Sequence, residues 1–126
     1  MHRIRLLGPW KYTSGTIQGT AKAPFSWSEI GGQLSDAVIV SRKFHCPTNL
    51  DRDEQVFVSI KGISSGGKSL LNGVTIGDFQ CESDPEFEVT KRLAKFNCLE
   101  IHLHTNGISD PTTRVFEEIA LEIRSD

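Results

Sequence analysis

Apolar and polar positions alternate with a period of two through most of this chain. Val56, Val58 and Ile60 fall on one side of a segment whose other side carries Phe57, Ser59 and Lys61. Leu99, Ile101 and Leu103 alternate with Glu100, His102 and His104. Ile119, Leu121 and Ile123 alternate with Glu118, Ala120, Glu122 and Arg124. Successive side chains of a strand point to opposite faces, so each run predicts a strand with its aliphatic side inward. Ile4 and Leu6 open the chain in the same way, and Val38-Ile39-Val40 leads into Arg42 and Phe44. Arg42 shares its parity with Val38, Val40 and Phe44. A regular strand there predicts a packed guanidinium on the core side, paired with a carboxylate or with carbonyls, because an unpaired buried charge is costly.

Turn-forming clusters separate these runs: Thr13-Ser14-Gly15, Gly31-Gly32, Pro47-Thr48-Asn49, Ser64-Ser65-Gly66-Gly67, Ser83-Asp84-Pro85, and Asn106-Gly107 through Asp110-Pro111. Short strands with such punctuation predict an all-β, antiparallel sandwich or barrel. One helical turn is predicted over Thr90 to Lys95, with Thr90 as its N-cap. No repeat, low-complexity tract or linker divides the chain, so residues 1–126 read as a single domain.

One stretch makes a competing claim. Gly62, Gly67, Lys68 and Ser69 match the G-x-x-x-x-G-K-[ST] phosphate loop, directly after a predicted strand. That loop needs a helix beginning at its lysine, whose backbone N–H groups face the phosphates. Here Leu70-Leu71-Asn72-Gly73-Val74-Thr75-Ile76-Gly77 follows instead. Asn72-Gly73 between apolar runs is a hairpin signal, and β-branched Val74, Thr75 and Ile76 disfavour a helix. Strand, turn and strand are predicted after Ser69, and no nucleotide is expected to bind.

Composition narrows the function further. The formal net charge of −2 supplies no basic field for nucleic acid or an anionic membrane. No apolar run approaches the roughly 20 residues of a transmembrane helix. Gly8, Pro9 and Lys11 interrupt any signal-peptide core near the start, so the chain is expected to be cytoplasmic or a piece of a longer secreted protein. Cys46, Cys81 and Cys98 are an odd set without a C-x-x-C, which favours free thiols over a disulfide framework or a zinc site.

Several segments, in order, resemble the sugar-binding domain at the N-terminus of family 2 glycoside hydrolases, the β-galactosidase and β-glucuronidase group. Leu7-Gly8-Pro9-Trp10-Lys11-Tyr12 is similar to the opening of that domain, and Val40-Ser41-Arg42-Lys43-Phe44-His45-Cys46-Pro47 to its arginine- and phenylalanine-bearing strand. Val56 to Ile63 with Leu71-Asn72-Gly73 to Gly77 resembles its paired glycine turns. Phe87-Glu88-Val89-Thr90 with Leu93 resembles a further segment, with glutamate where aspartate is usual. Asn97-Cys98-Leu99-Glu100-Ile101 resembles its next strand, and Ile119 to Ile123 its closing one. The resemblance implies a jelly-roll sandwich of the galactose-binding-like fold. It implies no catalytic residue, because those enzymes carry catalysis on a separate barrel of about 250 residues. The expected function is a non-catalytic carbohydrate-recognition or domain-docking module, free-standing or accessory to a glycosidase. The alternative is a scaffold protein that assembles through a sandwich face.

Phe25-Ser26-Trp27, after Pro24, is the candidate sugar platform, because pyranose faces stack on exposed rings. Asn49, Arg52 and Asp53 are candidates for hydrogen bonds to hydroxyls around that platform. The competing reading has Trp27 plugging one end of the sandwich, while Trp10 and Tyr12 belong to the core and its margin. His102 and His104 share a strand face and could hold a metal with His45 or a carboxylate, although solvated histidines explain them as well. Asp51-Arg52-Asp53-Glu54 is acidic enough for structural calcium but lacks EF-hand spacing. No cofactor is expected. Glu117 and Glu118 are adjacent and so point to opposite faces, which leaves no evident acid–base pair.

Overall fold

The computed structural model describes residues 1–30, 37–105, 108 and 110–125. Among them, ten strands form two antiparallel sheets. The smaller has the order β1 (His2–Arg5), β10 (Glu118–Ser125), β5 (Glu54–Lys61), β8 (Glu86–Glu88). The larger runs β3 (Ile17–Ala21), β2 (Trp10–Ser14), β4 (Ala37–His45), β9 (Phe96–His104), β6 (Gly67–Leu71), β7 (Val74–Phe79). The turns expected at Gly31-Gly32 and Asn106-Gly107 lie outside the described residues.

One apolar core lies between the sheets, and parity explains its membership. Val56, Val58 and Ile60 are buried on β5, Leu99, Ile101 and Leu103 on β9, and Ile119, Leu121 and Ile123 on β10. Val38, Val40 and Phe44 complete the β4 face, with Trp10 and half-buried Tyr12 as core and margin. The architecture is an all-β sandwich.

The polar side of β10 departs from simple alternation, since Ala120 and Glu122 are buried as well. β10 is flanked on both sides, with Glu122 opposite Arg3 of β1 and Phe57 of β5. Arg3 and Arg124 both reach the Glu122 carboxylate, while Arg124 also pairs with Glu86 and lies 4.1 Å from the Phe57 ring centroid. Glu118 accepts from Arg3 and from Arg5 Nε, the latter at 2.8 Å. Long side chains thus cover the outer face of the small sheet with their own ion pairs.

The hairpin reading of the phosphate-loop motif is correct. Strand β6 runs through Lys68 and Ser69, and Asn72 and Gly73 take φ of 53° and 83° in the turn to β7. The motif's glycines have packing reasons instead. A Cβ on Gly67 would sit 2.0 Å from the His102 carbonyl oxygen of β9. Gly62, at φ +67°, has the Glu117 Cγ where its Cβ would point, at 2.5 Å.

The N-cap expected at Thr90 is corrected. A 3₁₀ turn spans Thr90–Arg92, but Val89 precedes it as cap and makes no side-chain capping bond. The Thr90 hydroxyl instead accepts from the Val56 N–H at 2.9 Å, satisfying a donor at the start of β5.

Candidate functional site

The five expected ligand residues divide between opposite ends of the sandwich. Phe25 and Trp27 lie where β4 and β6 begin. There the Trp27 N–H donates to the Thr113 carbonyl at 3.1 Å, and its Nε1 to Ser64 Oγ at 2.9 Å. Asn49, Arg52 and Asp53 are exposed on the β4–β5 connection at the other end, which is anchored by Cys46 N–H donating to the Lys95 carbonyl at 3.0 Å. Strand β4 separates the two groups, and its nine residues span about 26 Å.

The stacking platform expected at Phe25 and Trp27 is corrected on burial. Trp27 is 0% exposed and Phe25 1%, so neither ring offers a face to a ligand. Phe25 packs edge-on against Phe116 with centroids 5.1 Å apart, and Phe116 in turn meets Trp10. The indole plugs this end of the core, with Ser64 satisfying its N–H.

The aromatic surface lies at the other end. Phe96 begins β9 and is 64% exposed, because it shares the outward parity of Cys98 and Glu100. His45, its cross-strand partner, meets the ring edge-on at 4.9 Å, and Lys95 Nζ lies 5.6 Å from its centroid. Beside it opens a cleft of about 430 Å³ lined by Lys43, His45, Asn72, Phe96, Asn97 and Cys98. Val74, 58% exposed, follows the β6–β7 turn at the same end.

A polar bracket holds this platform. Asn97 faces inward and is 3% exposed. Its Oδ1 accepts from the Ala94 N–H at 2.8 Å and from Asn72 Nδ2 at 3.0 Å, while its Nδ2 donates to the Ala94 carbonyl at 2.8 Å. Asn72 Oδ1 accepts from the Cys98 N–H at 2.8 Å. Two side chains thus tie the β6–β7 turn to the segment that presents Phe96. The Cys98 thiol is held protonated: burial raises its pKa most, Glu100 adds to this, and Lys43 and Lys11 oppose it. It is no activated nucleophile.

Arg42 lies on a regular strand, since β4 pairs with β9 without interruption from Ala37↔His104 to His45↔Phe96. Of the two kinds of partner expected, it has the carbonyl, its Nη1 donating to the Lys43 oxygen at 2.6 Å. Among the described residues it makes no ion pair, and its buried Nε has no partner. Burial lowers its pKa.

His102 and His104 share the outer face of β9, and His102 Nε2 lies 2.9 Å from a Glu100 oxygen. His45 is six β4 residues from Ile39, the partner of His102, or about 20 Å away. Among the described residues, no group of three or more His, Cys, Asp or Glu side chains is arranged to hold a metal. The Asp51–Glu54 segment closes on itself, the Glu54 carboxylate accepting from the Asp51 N–H at 2.9 Å. Glu117 and Glu118 diverge to Arg114 and to the Arg3–Arg5 pair.

Comparison with known proteins places this architecture. No protein-family profile matches the sequence, and no curated protein matches it significantly. Solved structures do match. A β-D-glucuronidase of Dictyoglomus thermophilum superposes at a TM-score of 0.79 with 12% identity, covering 99% of this chain and 28% of that one. A β-glucuronidase of an uncultured Clostridium gives 0.79 with 16% identity, covering 99% and 29%. A family 2 glycosyl hydrolase of Bacteroides cellulosilyticus gives 0.77 with 12% identity, covering 99% and 21%. The chain therefore has the fold of one domain of these glycosidases, and it spans under a third of their length.

Proposed function

We propose that this chain is a non-catalytic accessory module of a glycoside hydrolase and that it recognises carbohydrate at the Phe96 end of the sandwich. The observation that carries the reading is the exposed Phe96 ring, bracketed from behind by Asn97 and Asn72 and flanked by His45 and Lys43. An aromatic face among a few convergent polar groups is the usual make-up of a saccharide site. Asn49, Arg52 and Asp53, exposed on the β4–β5 connection, would extend the polar rim. The glycosidase neighbours, at their low identity, contribute the fold alone to this reading.

A scaffold that assembles through a sheet face would carry its apolar surface there. In this chain the small sheet's outer face is covered by ion pairs, whereas Phe96 and Val74 are exposed at one end. This favours end-on recognition over face-to-face assembly. A glycan array with wild type and Phe96→Ala tests the proposal, with folding checked by circular dichroism. Binding that falls about tenfold or more in the variant is expected, since stacked aromatic contacts contribute roughly 1 kcal/mol or more. Binding to no glycan, or binding that Phe96→Ala leaves intact, would remove this site.

A further inference from the structure

We propose that the ligand of this module is anionic, and that Lys11, Arg42 and Lys43 receive its charge. The proposal rests on the carbohydrate reading above and names the class of saccharide. A second cleft, of about 330 Å³, opens beside the Phe96 cleft, with Gly8 and Pro9 as one wall and Lys11, Thr20, Ser41, Arg42 and Lys43 lining it. Lys43 belongs to both clefts, so one ligand can lie across the aromatic ring and reach the cations.

Backbone topology opens this second cleft. Strand β2 stops pairing with β4 at Lys11↔Ser41, while β4 continues to His45 against β9 alone. Arg42 and Lys43 therefore flank an edge with no neighbouring strand. The guanidinium, rooted on the inner side, lines this opening.

The charge at the cleft is one-sided, although among the described residues no lysine of this chain makes an ion pair. Arg3, Arg5, Arg114 and Arg124 each take a glutamate partner. Lys11, Arg42 and Lys43 take none among the described residues, and no carboxylate lines the cleft. Glu100, across the ladder from Ser41, is the nearest acid on the sheet face and is engaged by His102 at 2.9 Å. Three cations gathered at one cleft repel one another, and Glu100 across the ladder offsets this only in part. The Arg42 Nε adds a buried donor with nothing to bind. A carboxylate or sulfate ester in the cleft would offset this charge, and the guanidinium fork suits either oxyanion. The Thr20 and Ser41 hydroxyls add neutral donors at the same opening.

The test titrates the full chain with matched ligands: a neutral galactose oligosaccharide, a galacturonic acid oligosaccharide, a galactose 6-sulfate oligosaccharide, and inorganic sulfate. The expected result is that at least one acidic saccharide binds tenfold or more tighter than the neutral one, a preference that shrinks as salt rises. Arg42→Gln and Lys11→Gln should abolish that preference and leave neutral binding unchanged, whereas Lys43→Gln, at a residue shared with the Phe96 cleft, should weaken both. Lys11 is exposed, so Lys11→Gln remains informative if Arg42→Gln unfolds. Which acidic saccharide wins identifies carboxylate or sulfate as the natural group. Equal binding of neutral and acidic saccharides would overturn the proposal while leaving the carbohydrate reading intact. An acidic preference that survives in the variants would overturn it as well. If no glycan binds but sulfate shifts the amide resonances of residues 41–43, and the variants lose that shift, the anion site stands and the carbohydrate reading falls. Silence from every ligand sinks both.

Discussion

Replacing Asn97 by alanine tests the bracket behind Phe96. The side chain is 3% exposed and makes three hydrogen bonds, two to the Ala94 backbone and one to Asn72. Each such bond contributes about 1 kcal/mol net, and a buried polar group left unsatisfied costs about as much again. The substitution should therefore destabilise the domain by about 3 kcal/mol, within a range of roughly 2–4. With a urea m-value of about 1.5 kcal/mol/M, the midpoint falls by about 2 M. Urea titration followed by tryptophan fluorescence suits the measurement, because both indoles are buried. A double-mutant cycle with Asn72→Gly, which keeps the positive φ of the turn, should reveal a coupling of about 1 kcal/mol from the shared bond. A loss below about 0.5 kcal/mol, or an additive cycle, would refute the bracket and with it the claim that Phe96 is rigidly presented.

Gly67→Ala should cost about 3 kcal/mol or more by forcing β6 away from the His102 carbonyl. Gly73→Ala, whose Cβ would meet nothing within 4 Å, should cost only about 1 kcal/mol of backbone strain; equal losses in thermal or urea melts would show that the close approach is relieved without cost. The Glu122 carboxylate is held below its usual range, first by its hydrogen bond from Arg124 and then by the nearby charges of Arg124, Arg3 and Lys61, against the opposing effect of burial. A depressed folded pKa means that this stability is complete above the ordinary carboxylate value and is lost as pH falls through the folded one. Stability should thus decline below about pH 5, and Glu122→Gln should flatten that decline; identical pH profiles for the two proteins would contradict the assignment.

The sheet faces were legible because a period of two is a local property. The parity that buries Val56, Val58 and Ile60 also buries Leu99, Ile101 and Leu103, and it required Phe96 to point outward with Cys98 and Glu100. Nothing in composition singles out Phe96, but its parity within β9 is a local property that fixes its outward direction. Trp27 is the opposite case. Its place in a connection said nothing about burial, which depends on Phe116 and Ser64 coming from distant segments. That Phe25 and Asn49 lie at opposite ends depends on strand direction and order, which no local pattern encodes. The partner of Arg42 was equally hidden: parity put its root on the core side, but the opening beside it exists because β2 stops short.

The order of strands also governs how the chain must fold. Among the described residues only β2–β3 and β6–β7 are hairpins of neighbours, whereas β1 pairs with β10 across Arg3↔Glu122 and β4 with β9 across Val40↔Ile101. Each long-range pairing requires a large loop to close before its contacts form, so the entropy is lost early and the reward comes late. β10 is the extreme case, because its partners β5 and β1 stand on either side of it and both precede it in the chain by a long interval. Until β10 arrives, the apolar faces of β5 and β1 have no strand between them. The small sheet therefore cannot close before β10 joins it, and until then β5 and β1 present edges open to wrong partners.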